Sequence, residues 1–307
     1  MSRLARFDVG RETKCRGDTL AWEARFVLEA LRLWEAFMQA GVMERARGEV
    51  SLGVAHRGGR HGVAALRQAG CGRLLFPAIA AGAPLEAVIV NTGGGLTGGD
   101  RFEAQVQLEA GAAALVTTQA CEKIYRSSGE TALVETRLNA GADSRLLWLP
   151  QETILFDKAR LQRRLTIEIE ESTTLLALEA VLLGRLASGE RLTAGLFRDS
   201  WRLRRGGRLV FAEEMALEGD VPARLAARAT LNGAHAYATI VLAAPDAGQH
   251  LATVRDMLNN EAVEGGASTF DGLCVVRLVA QDGAALRRTL VPLLRTLGGE
   301  LPRVWHN

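Results

Sequence analysis

The amino-acid sequence predicts a mainly β protein, with many short strands and two late helices packed on them. Apolar and polar residues alternate over short segments from about residue 47 to residue 243, which is typical of strands with one buried face. Turn-forming groups such as Gly-Gly, Ser-Ser-Gly and Asn-Ala-Gly interrupt these segments at roughly ten-residue spacing. Helical periodicity does not alternate with the strands there, so a doubly wound nucleotide-binding fold is not expected.

The first periodic segment is helical, and the strands follow it. Trp22, Phe26, Ala30, Leu33 and Phe37 recur at three- and four-residue steps within residues 19–45, which indicates an amphipathic helix. The next segment, GEVSLGVAHRGGRHGVAALRQAG, predicts a hairpin with RGGR as its turn. The strand-like segments after it are LEAVIV, RFEAQVQLEA, AALVTTQA, TALVETRLNA, SRLLWLP, RLTIEIEEST, TLLALEAVLL and WRLRRGGRLVFAEEM.

Two helices and a strand are expected near the end of the chain. The string PDAGQHLATVRDMLNN places Leu251, Val254 and Leu258 on one helix face. The string DGAALRRTLVPLLRTLGG predicts a second helix with Asp282 as its N-cap, and Pro292 within it predicts a kink or a break. Between the two helices, TFDGLCVVRLVA is interpreted as one strand.

Composition and charge exclude several classes of protein. The 37 basic and 35 acidic side chains give a net charge of +2, and residues 1–47 carry that excess. The rest of the chain is neutral and has no basic stripe, which argues against nucleic acid as a partner. No apolar run reaches the roughly 18 residues of a membrane span. The start MSRLARFDVGRETK lacks the apolar region of a secretory signal, and the four cysteines form no zinc or redox pattern. We therefore expect a cytoplasmic protein without a tightly bound cofactor.

The most unusual segment is NTGGGLTGGDR, in which five of the seven residues from 93 to 99 are glycine. Glycine permits positive φ and the close approach of another backbone, and such a loop could expose amide groups to a phosphate. However, Asp100 stands where a phosphate-binding loop needs lysine, and an alternating segment follows instead of a helix. We interpret the run as a specialised turn between two strands.

Further segments combine carboxylates with apolar surroundings. TTQACEKIYRSSGE contains a cysteine without a neighbouring histidine base, which favours a polar strand end with a Ser-Ser-Gly turn. Glu179 lies within an apolar run, where an unpaired carboxylate is costly, and one of Glu213 and Glu214 should point inward by strand alternation. Asp100, Glu152, Glu179 and Glu213 form a candidate acidic set. These side chains could act as acid and base in an enzyme or pass a divalent cation, and their spacing does not choose between the two.

Five ordered motifs carry a resemblance to a known family. NTGGGLTGGDR, KIYRSSGETA, WLPQETILF, GRLASGE and the terminal LPRVW resemble the UreD (UreH) family of urease accessory proteins. The resemblance covers residues 45–307 and implies a single β-rich domain in which short strands form a helix-like winding. Residues 1–44 are an N-terminal extension outside it. That extension is interpreted as an over-extended gene start, with Met38 or Met43 as the true start, or else as a helix that binds a partner.

The resemblance implies an accessory protein and not an enzyme. Members of the family bind the accessory protein UreF, which recruits the GTPase UreG. That assembly, through which a dimer could form, docks on apo-urease and supports nickel insertion into its active site. Neither a membrane nor nucleic acid is an expected partner. The only metal expected is transient Ni²⁺ in an internal polar tunnel, without a tight metal site.

The family motifs also assign roles to individual residues. Asp100, Lys123, Glu179 and Glu213 fill family positions, and with Glu152 they are the candidates for nickel passage or tunnel lining. Structural roles within the motifs are expected for Gly94, Gly98, Gly99, Tyr125, Arg126, Ser127, Ser128, Gly129, Pro150, Gln151, Gly184, Arg185, Gly189 and Glu190.

A second class of function stays open on the residues alone. Paired carboxylates on a β winding could serve a β-helical carbohydrate-active enzyme. Sugar stacking would require more aromatic side chains than the 5% that the chain contains. An enzyme that binds nucleotide through the glycine-rich loop is disfavoured by Asp100 and by the missing helix.

Overall fold

The computed structural model divides the chain into two units, residues 1–44 and residues 45–307. Within the chain the structure describes residues 45–259, 263–299 and 301–306. The amphipathic helix expected from residue 19 onward lies outside the described residues.

Strands account for most of the described residues. The strands are, in chain order, β1 (Arg47–Arg57), β2 (Arg60–Gly70), β3 (Gly72–Leu75), β4 (Leu85–Asn91), β5 (Arg101–Leu108), β6 (Ala113–Thr118), β7 (Glu122–Ile124), β8 (Ala132–Ala140), β9 (Arg145–Leu149), β10 (Thr153–Leu155), β11 (Arg160–Ile169), β12 (Thr174–Leu183), β13 (Leu196–Arg205), β14 (Arg208–Glu218), β15 (Ala236–Ala243), β16 (Glu264–Phe270) and β17 (Leu273–Ala280). The helices are α1 (Val221–Ala226), α2 (Leu251–Leu258) and α3 (Gly283–Gly298).

The strands form two sheets between which the chain winds. The seven-stranded sheet has the order β14-β13-β11-β8-β5-β1-β2, and the ten-stranded sheet has the order β16-β17-β15-β12-β9-β6-β4-β3 with β10 and β7 attached beside β12. From β5 the chain crosses to β6, passes the short β7 and returns to β8 beside β5. We call one such turn of the winding a coil. The next coil repeats this path through β9, β10 and β11. The predicted mainly β fold with a helix-like winding of short strands is therefore confirmed.

Parallel registers hold successive coils together in the seven-stranded sheet. Arg101 lies beside Leu133, Leu133 beside Gln162, and Gln162 beside Arg198. Strict alternation in β5 turns Phe102 and every second residue after it toward the interior, and the residues between them stay exposed. The interior between the two sheets is the larger of two hydrophobic cores, and each fully buried Leu or Val side chain there contributes about 1.5–3 kcal/mol of transfer free energy.

A second core lies on the other face of the ten-stranded sheet. Leu176 and Leu178 of β12 pack in the same cluster as Leu286, Leu290 and Leu293 of α3. Because β12 is covered on both faces, its sequence TLLALEAVLL is apolar at nearly every position instead of alternating. The strand was correctly predicted, but its second apolar face reflects the helical layer.

The ends of the late helices agree largely with their sequence signals. Asp282 caps α3 by accepting a hydrogen bond from the Ala285 amide at 2.7 Å, as predicted. Of the two alternatives expected for Pro292, the break does not occur, because α3 continues through it to Gly298. None of the described helices is long and apolar enough to cross a membrane.

One interpretation of the sequence needs correction, and several elements were not predicted. TFDGLCVVRLVA is not one strand but the end of β16, a turn at Asp271 and Gly272, and all of β17. Helix α1 was not predicted, so the described chain has one helix before the two late ones. Strands β3, β7 and β10 contain only three or four residues each, too few to show a period of two in sequence.

Candidate functional site

A cavity of about 280 Å³ opens beside the glycine-rich loop and extends into the interior between the two sheets. Its outer wall includes Gly94 and Lys123, which are exposed. Its inner end includes Arg163 and Glu179, which are buried. The cavity thus connects solvent with charged groups that the winding places inside the protein.

The glycine-rich loop forms one wall of this cavity and lies against residues 123–130. Leu96 donates its amide to the Lys123 carbonyl at 2.8 Å and accepts a hydrogen bond from the Tyr125 amide at 2.7 Å. A side-chain carbon at Gly98 would lie 2.3 Å from the Glu130 carbonyl oxygen, so only glycine permits this close approach. Gly94 and Gly99 adopt positive φ values of 73° and 89°. The run therefore connects β4 with β5 as a turn, which agrees with the interpretation from sequence.

The Tyr-Arg-Ser-Ser-Gly segment secures the other side of that contact. The Tyr125 hydroxyl donates to the Gly94 carbonyl at 3.0 Å, and the Tyr125 ring meets the edge of Phe156. The Ser127 hydroxyl donates to the Glu130 carbonyl at 2.5 Å and accepts from the Gly129 amide at 3.0 Å. Arg126 forms an isolated β-bridge with Ala159, whereas Ser128 and Gly129 are exposed. These contacts are structural and fix the mouth of the cavity.

The Gly-Arg-Leu-Ala-Ser-Gly-Glu segment supports the same face. The Arg185 guanidinium lies 4.1 Å from the centroid of the Phe156 ring, and its Nε lies 2.5 Å from Glu190 Oε2. Gly189 has a φ of 75° and ends a short 3-10 turn at Leu186–Ser188. A side-chain carbon at Gly184 would lie 2.7 Å from the Glu190 carbonyl oxygen.

Two acidic side chains, Glu122 and Glu152, lie near the mouth in different environments. Burial raises the pKa of Glu122 to about 7, although the Asn91 amide donates to it at 3.1 Å and opposes the rise. Burial and the neighbouring Glu152 raise the pKa of Cys121 to about 11, so the thiol stays protonated near neutral pH. The Cys121 thiol lies 3.5 Å from Glu152 Oε2. The thiolate is the form that ligates metals, so the raised pKa disfavours metal binding by the Cys121 side chain itself.

Glu152 is paired with the C-terminal helix. Arg287 Nη1 donates to Glu152 Oε1 at 3.0 Å and to Gln151 Oε1 at 3.0 Å. The Arg287 guanidinium also lies 4.7 Å from the Trp305 ring, whose indole nitrogen donates to the Leu149 carbonyl at 3.0 Å. Gln151 Nε2 is buried and has no partner among the described residues. Pro150, also buried, lines the cavity beside it.

Arg163 and Glu179 line the inner end of the cavity and, with Asp199 behind them, form an interior ion cluster. Arg163 donates Nη2 to Asp199 Oδ2 at 2.6 Å and Nε to Asp199 Oδ1 at 3.0 Å, and its Nη1 contacts Glu179. Trp148 Nε1 donates to the other oxygen of Glu179 at 3.3 Å. Burial raises the pKa of Glu179 to about 7; Arg163 opposes that rise, and Asp199 adds to it. One guanidinium therefore serves two buried carboxylates.

Polar groups continue beyond the cluster across the ten-stranded sheet. Glu179 lies beside Thr239 of β15, and Thr239 lies beside Arg277 of β17. The Thr239 hydroxyl donates to Glu213 Oε1 at 3.0 Å, and Arg277 Nε donates to Glu213 Oε2 at 2.9 Å. Strand alternation turns the half-buried Glu213 inward and leaves Glu214 exposed. We call Glu179, Thr239, Glu213 and Arg277 the interior row; it leads from the cavity to an exposed guanidinium.

The structure brings together some of the five candidates for nickel passage. Lys123 and Glu179 line the cavity, Glu152 touches it through Cys121, and Glu213 belongs to the interior row. Asp100 lies elsewhere: its Oδ1 accepts from the Ala46 amide and its Oδ2 from the Thr97 amide, both at 2.8 Å. Both carboxylate oxygens of Asp100 are thus occupied by hydrogen bonds from backbone amides, which supports a structural role.

Sequence reasoning missed the partners of Glu179. Arg163 and Asp199 occupy inward positions of β11 and β13, where the alternation of RLQRRLTIEI and LFRDSWRLRR turns their side chains inside. That alternation was available from sequence and would have found them. No group of three or more His, Cys, Asp or Glu side chains suited to hold a metal occurs in the part of the chain that the structure describes.

Comparison with known proteins gives a consistent family. Residues 46–306 match the family model described as UreD urease accessory protein. The chain is 49% identical over 265 residues to the urease accessory protein UreD of Rhizobium rhizogenes strain K84, covering 86% of this chain and 96% of the relative. It is 47% identical over 272 residues to the UreD of Brucella suis strain ATCC 23445, covering 87% and 96%. It is 48% identical over 265 residues to the UreD of Rhizobium leguminosarum bv. viciae, covering 86% and 96%.

Proposed function

This chain belongs to the UreD family of urease accessory proteins, and we propose that it acts with UreF and UreG on apo-urease to support nickel insertion. In this proposal the chain is a scaffold and a conduit, not an enzyme, and it works in the cytoplasm. Its family makes it an accessory protein of urease. The carbohydrate-active alternative is not carried forward, since no observation at the site favours it.

The observation that supports a conduit is the continuity of polar groups through an otherwise apolar interior. The cavity reaches from Lys123 at the surface to Glu179, and the interior row continues from Glu179 to Glu213 and Arg277. These carboxylates are paired, but a buried ion pair is often no more stabilising than apolar packing, so their placement along one line supports a role other than stability. Carboxylate and hydroxyl oxygens bind nickel less tightly than imidazole or thiolate, which suits an ion that must also leave.

Nickel in this proposal is cargo that enters and leaves. Glu122 and Glu179, each with a pKa of about 7, could exchange a proton for the passing ion near neutral pH. Asp100 is not proposed to contact nickel, because both its oxygens accept backbone hydrogen bonds.

The proposal is tested by expressing the urease genes and the accessory genes with and without this chain. Omission should lower the nickel content of purified urease and its activity together. A Glu213→Gln variant should retain the accessory complex and lower the nickel content, with the exposed Glu214→Gln variant as its matched control. Unchanged nickel content on omission of the chain would refute the proposed function.

A further inference from the structure

The interior ion cluster is incompletely neutralised by the protein. Glu179 and Asp199 can carry two negative charges, and Arg163 supplies one positive charge. All three residues are at most 6% exposed, so solvent does little to screen the difference. A dication in place of the guanidinium would match the two carboxylates fully, whereas Arg163 leaves one negative charge to be balanced by a proton.

A fourth polar group at the cluster has no partner. The Tyr237 hydroxyl is buried and makes no hydrogen bond to any described residue, and Tyr237 is 7% exposed. Asp199, Arg163 and Glu179 all act electrostatically on this hydroxyl, which places it within their field. A buried hydroxyl without a partner is costly. A cation bound by the two carboxylates would be coordinated by the Tyr237 hydroxyl oxygen as a third ligand.

The cavity provides space for the guanidinium to leave. Arg163 lines the inner end of the 280 Å³ cavity together with Glu179, and Glu122 lines the same cavity nearer the mouth. The Arg163 guanidinium therefore borders free volume, although its Nη1 also donates to Thr153 Oγ1 at 3.2 Å. Asp199 and Glu179 come from two other strands, β13 and β12, so their positions do not depend on the Arg163 backbone.

We propose that Glu179, Asp199 and the Tyr237 hydroxyl form a divalent-cation site that the Arg163 guanidinium occupies in this structure. Arg163 is then a tethered competitor that holds the affinity of the site for divalent cations low. The choice of nickel as that cation rests on the proposed function. Without Arg163, two buried carboxylates would lack a counter-charge and would retain the ion instead of passing it on.

The test measures nickel binding to the full-length isolated chain by equilibrium dialysis with radioactive Ni²⁺. Arg163→Met should bind one ion at least about tenfold more tightly than the parent, since leaving a buried carboxylate unpaired costs more than one tenfold step in affinity. Arg164→Met is the matched control, because Arg164 is the next residue of β11 and points to the outer face, with its side chain 56% exposed. This control should bind nickel as the parent does.

Two further variants keep the result interpretable. Arg163→Met combined with Asp199→Asn should return the affinity to the parent value, and tight binding that survives would overturn the proposal by placing the site elsewhere. Should Arg163→Met fail to fold by circular dichroism, Arg163→Lys decides. Lysine keeps the charge but loses the fork that spans both carboxylates, so binding should tighten by about threefold or more.

Parent-like affinity in a folded Arg163→Met variant would overturn the proposal, as would parent-like affinity in Arg163→Lys when the methionine variant does not fold. Because binding is measured without urease, the outcome is separate from the proposed function. If Arg163→Met binds nickel tightly but the chain has no effect on urease, the cation site is supported and the proposed nickel delivery is refuted. If the chain supports nickel delivery but Arg163→Met binds nickel no more tightly than the parent, the proposed function is supported and the cation site is refuted.

Discussion

The glycine-rich loop permits a sharp test, because Gly98 is required for packing and not for an unusual backbone angle. A side-chain carbon at position 98 would lie 2.1 Å from Ser127 Oγ and 2.3 Å from the Glu130 carbonyl oxygen. The second atom is backbone and cannot rotate away. Overpacking of this kind costs about 1–3 kcal/mol. Rotation of the Ser127 hydroxyl would also break its two hydrogen bonds, at about 1 kcal/mol each.

We therefore expect Gly98→Ala to lower the free energy of unfolding by about 3–5 kcal/mol. At about 2–4 °C per kcal/mol for a domain of this size, Tm should fall by roughly 10 °C. Differential scanning calorimetry and urea unfolding both measure the change.

Two control variants separate the possible causes. Gly62→Ala in β2 has a negative φ and open space around the new carbon, so its stability should change by less than about 0.5 kcal/mol. Gly94→Ala also has open space but a φ of 73°, so the backbone strain should cost about 1–2 kcal/mol. If Gly98→Ala melts within experimental error of Gly62→Ala, then the close contact between the loop and residues 127–130 is not real.

Three further predictions concern charged groups. Arg287→Ala should lower the free energy of unfolding, measured in urea, by about 2–4 kcal/mol, because it leaves the buried Glu152 without its ion pair. The control Arg288→Ala removes an exposed neighbour and should have little effect. Equal effects of the two variants would contradict the pairing. Glu122 has a folded pKa of about 7, above its ordinary value of 4.5, so the parent loses stability from this group as pH rises through that interval. Glu122→Gln should remove that loss, so the stability of the variant relative to the parent should rise by about 2–3 kcal/mol from pH 4.5 to pH 8. Parallel pH profiles of variant and parent in thermal melts would contradict the raised pKa. Asp100→Ala should destabilise the fold by about 2–4 kcal/mol, because two backbone amides lose their hydrogen bonds to the carboxylate. Normal stability of this variant together with a lower nickel content in urease would instead support Asp100 as a contact of the ion.

Local patterns predicted most of the strands, because their signals lie within a few neighbouring residues. The alternation of RFEAQVQL predicts β5 and its inward face directly. The coil that stacks β5 on β8 and β11 was available only through the family resemblance, because parallel pairing joins residues far apart in sequence. Strands as short as β7 and β10 carry no period of their own, and their neighbours in the sheet hold them in place.

The candidate site shows the same division between local and long-range information. Alternation alone turns Arg163 and Asp199 inward, so the interior ion cluster was within reach of sequence reasoning. The partner of Glu152 was not, because Arg287 lies 135 residues away on a helix beyond the second sheet face. Asp100 was assigned to nickel passage because it fills the carboxylate position of the Gly-Gly-Asp motif in the family resemblance. Its actual hydrogen bonds depend on the Ala46 amide, which the sequence around Asp100 does not reveal.

The tie between the end of the chain and its middle also sets an order of events during synthesis. Glu152 and Gln151 meet Arg287, and the Leu149 carbonyl meets the Trp305 indole, so the partners of this segment are translated 135 or more residues after it. The earlier coils can stack as they leave the ribosome, because each pairs with its neighbour in the chain. Glu152 lacks this counter-ion until α3 has been made. A nascent chain that has stacked its coils but not yet added α3 therefore holds Glu152 without its ion pair.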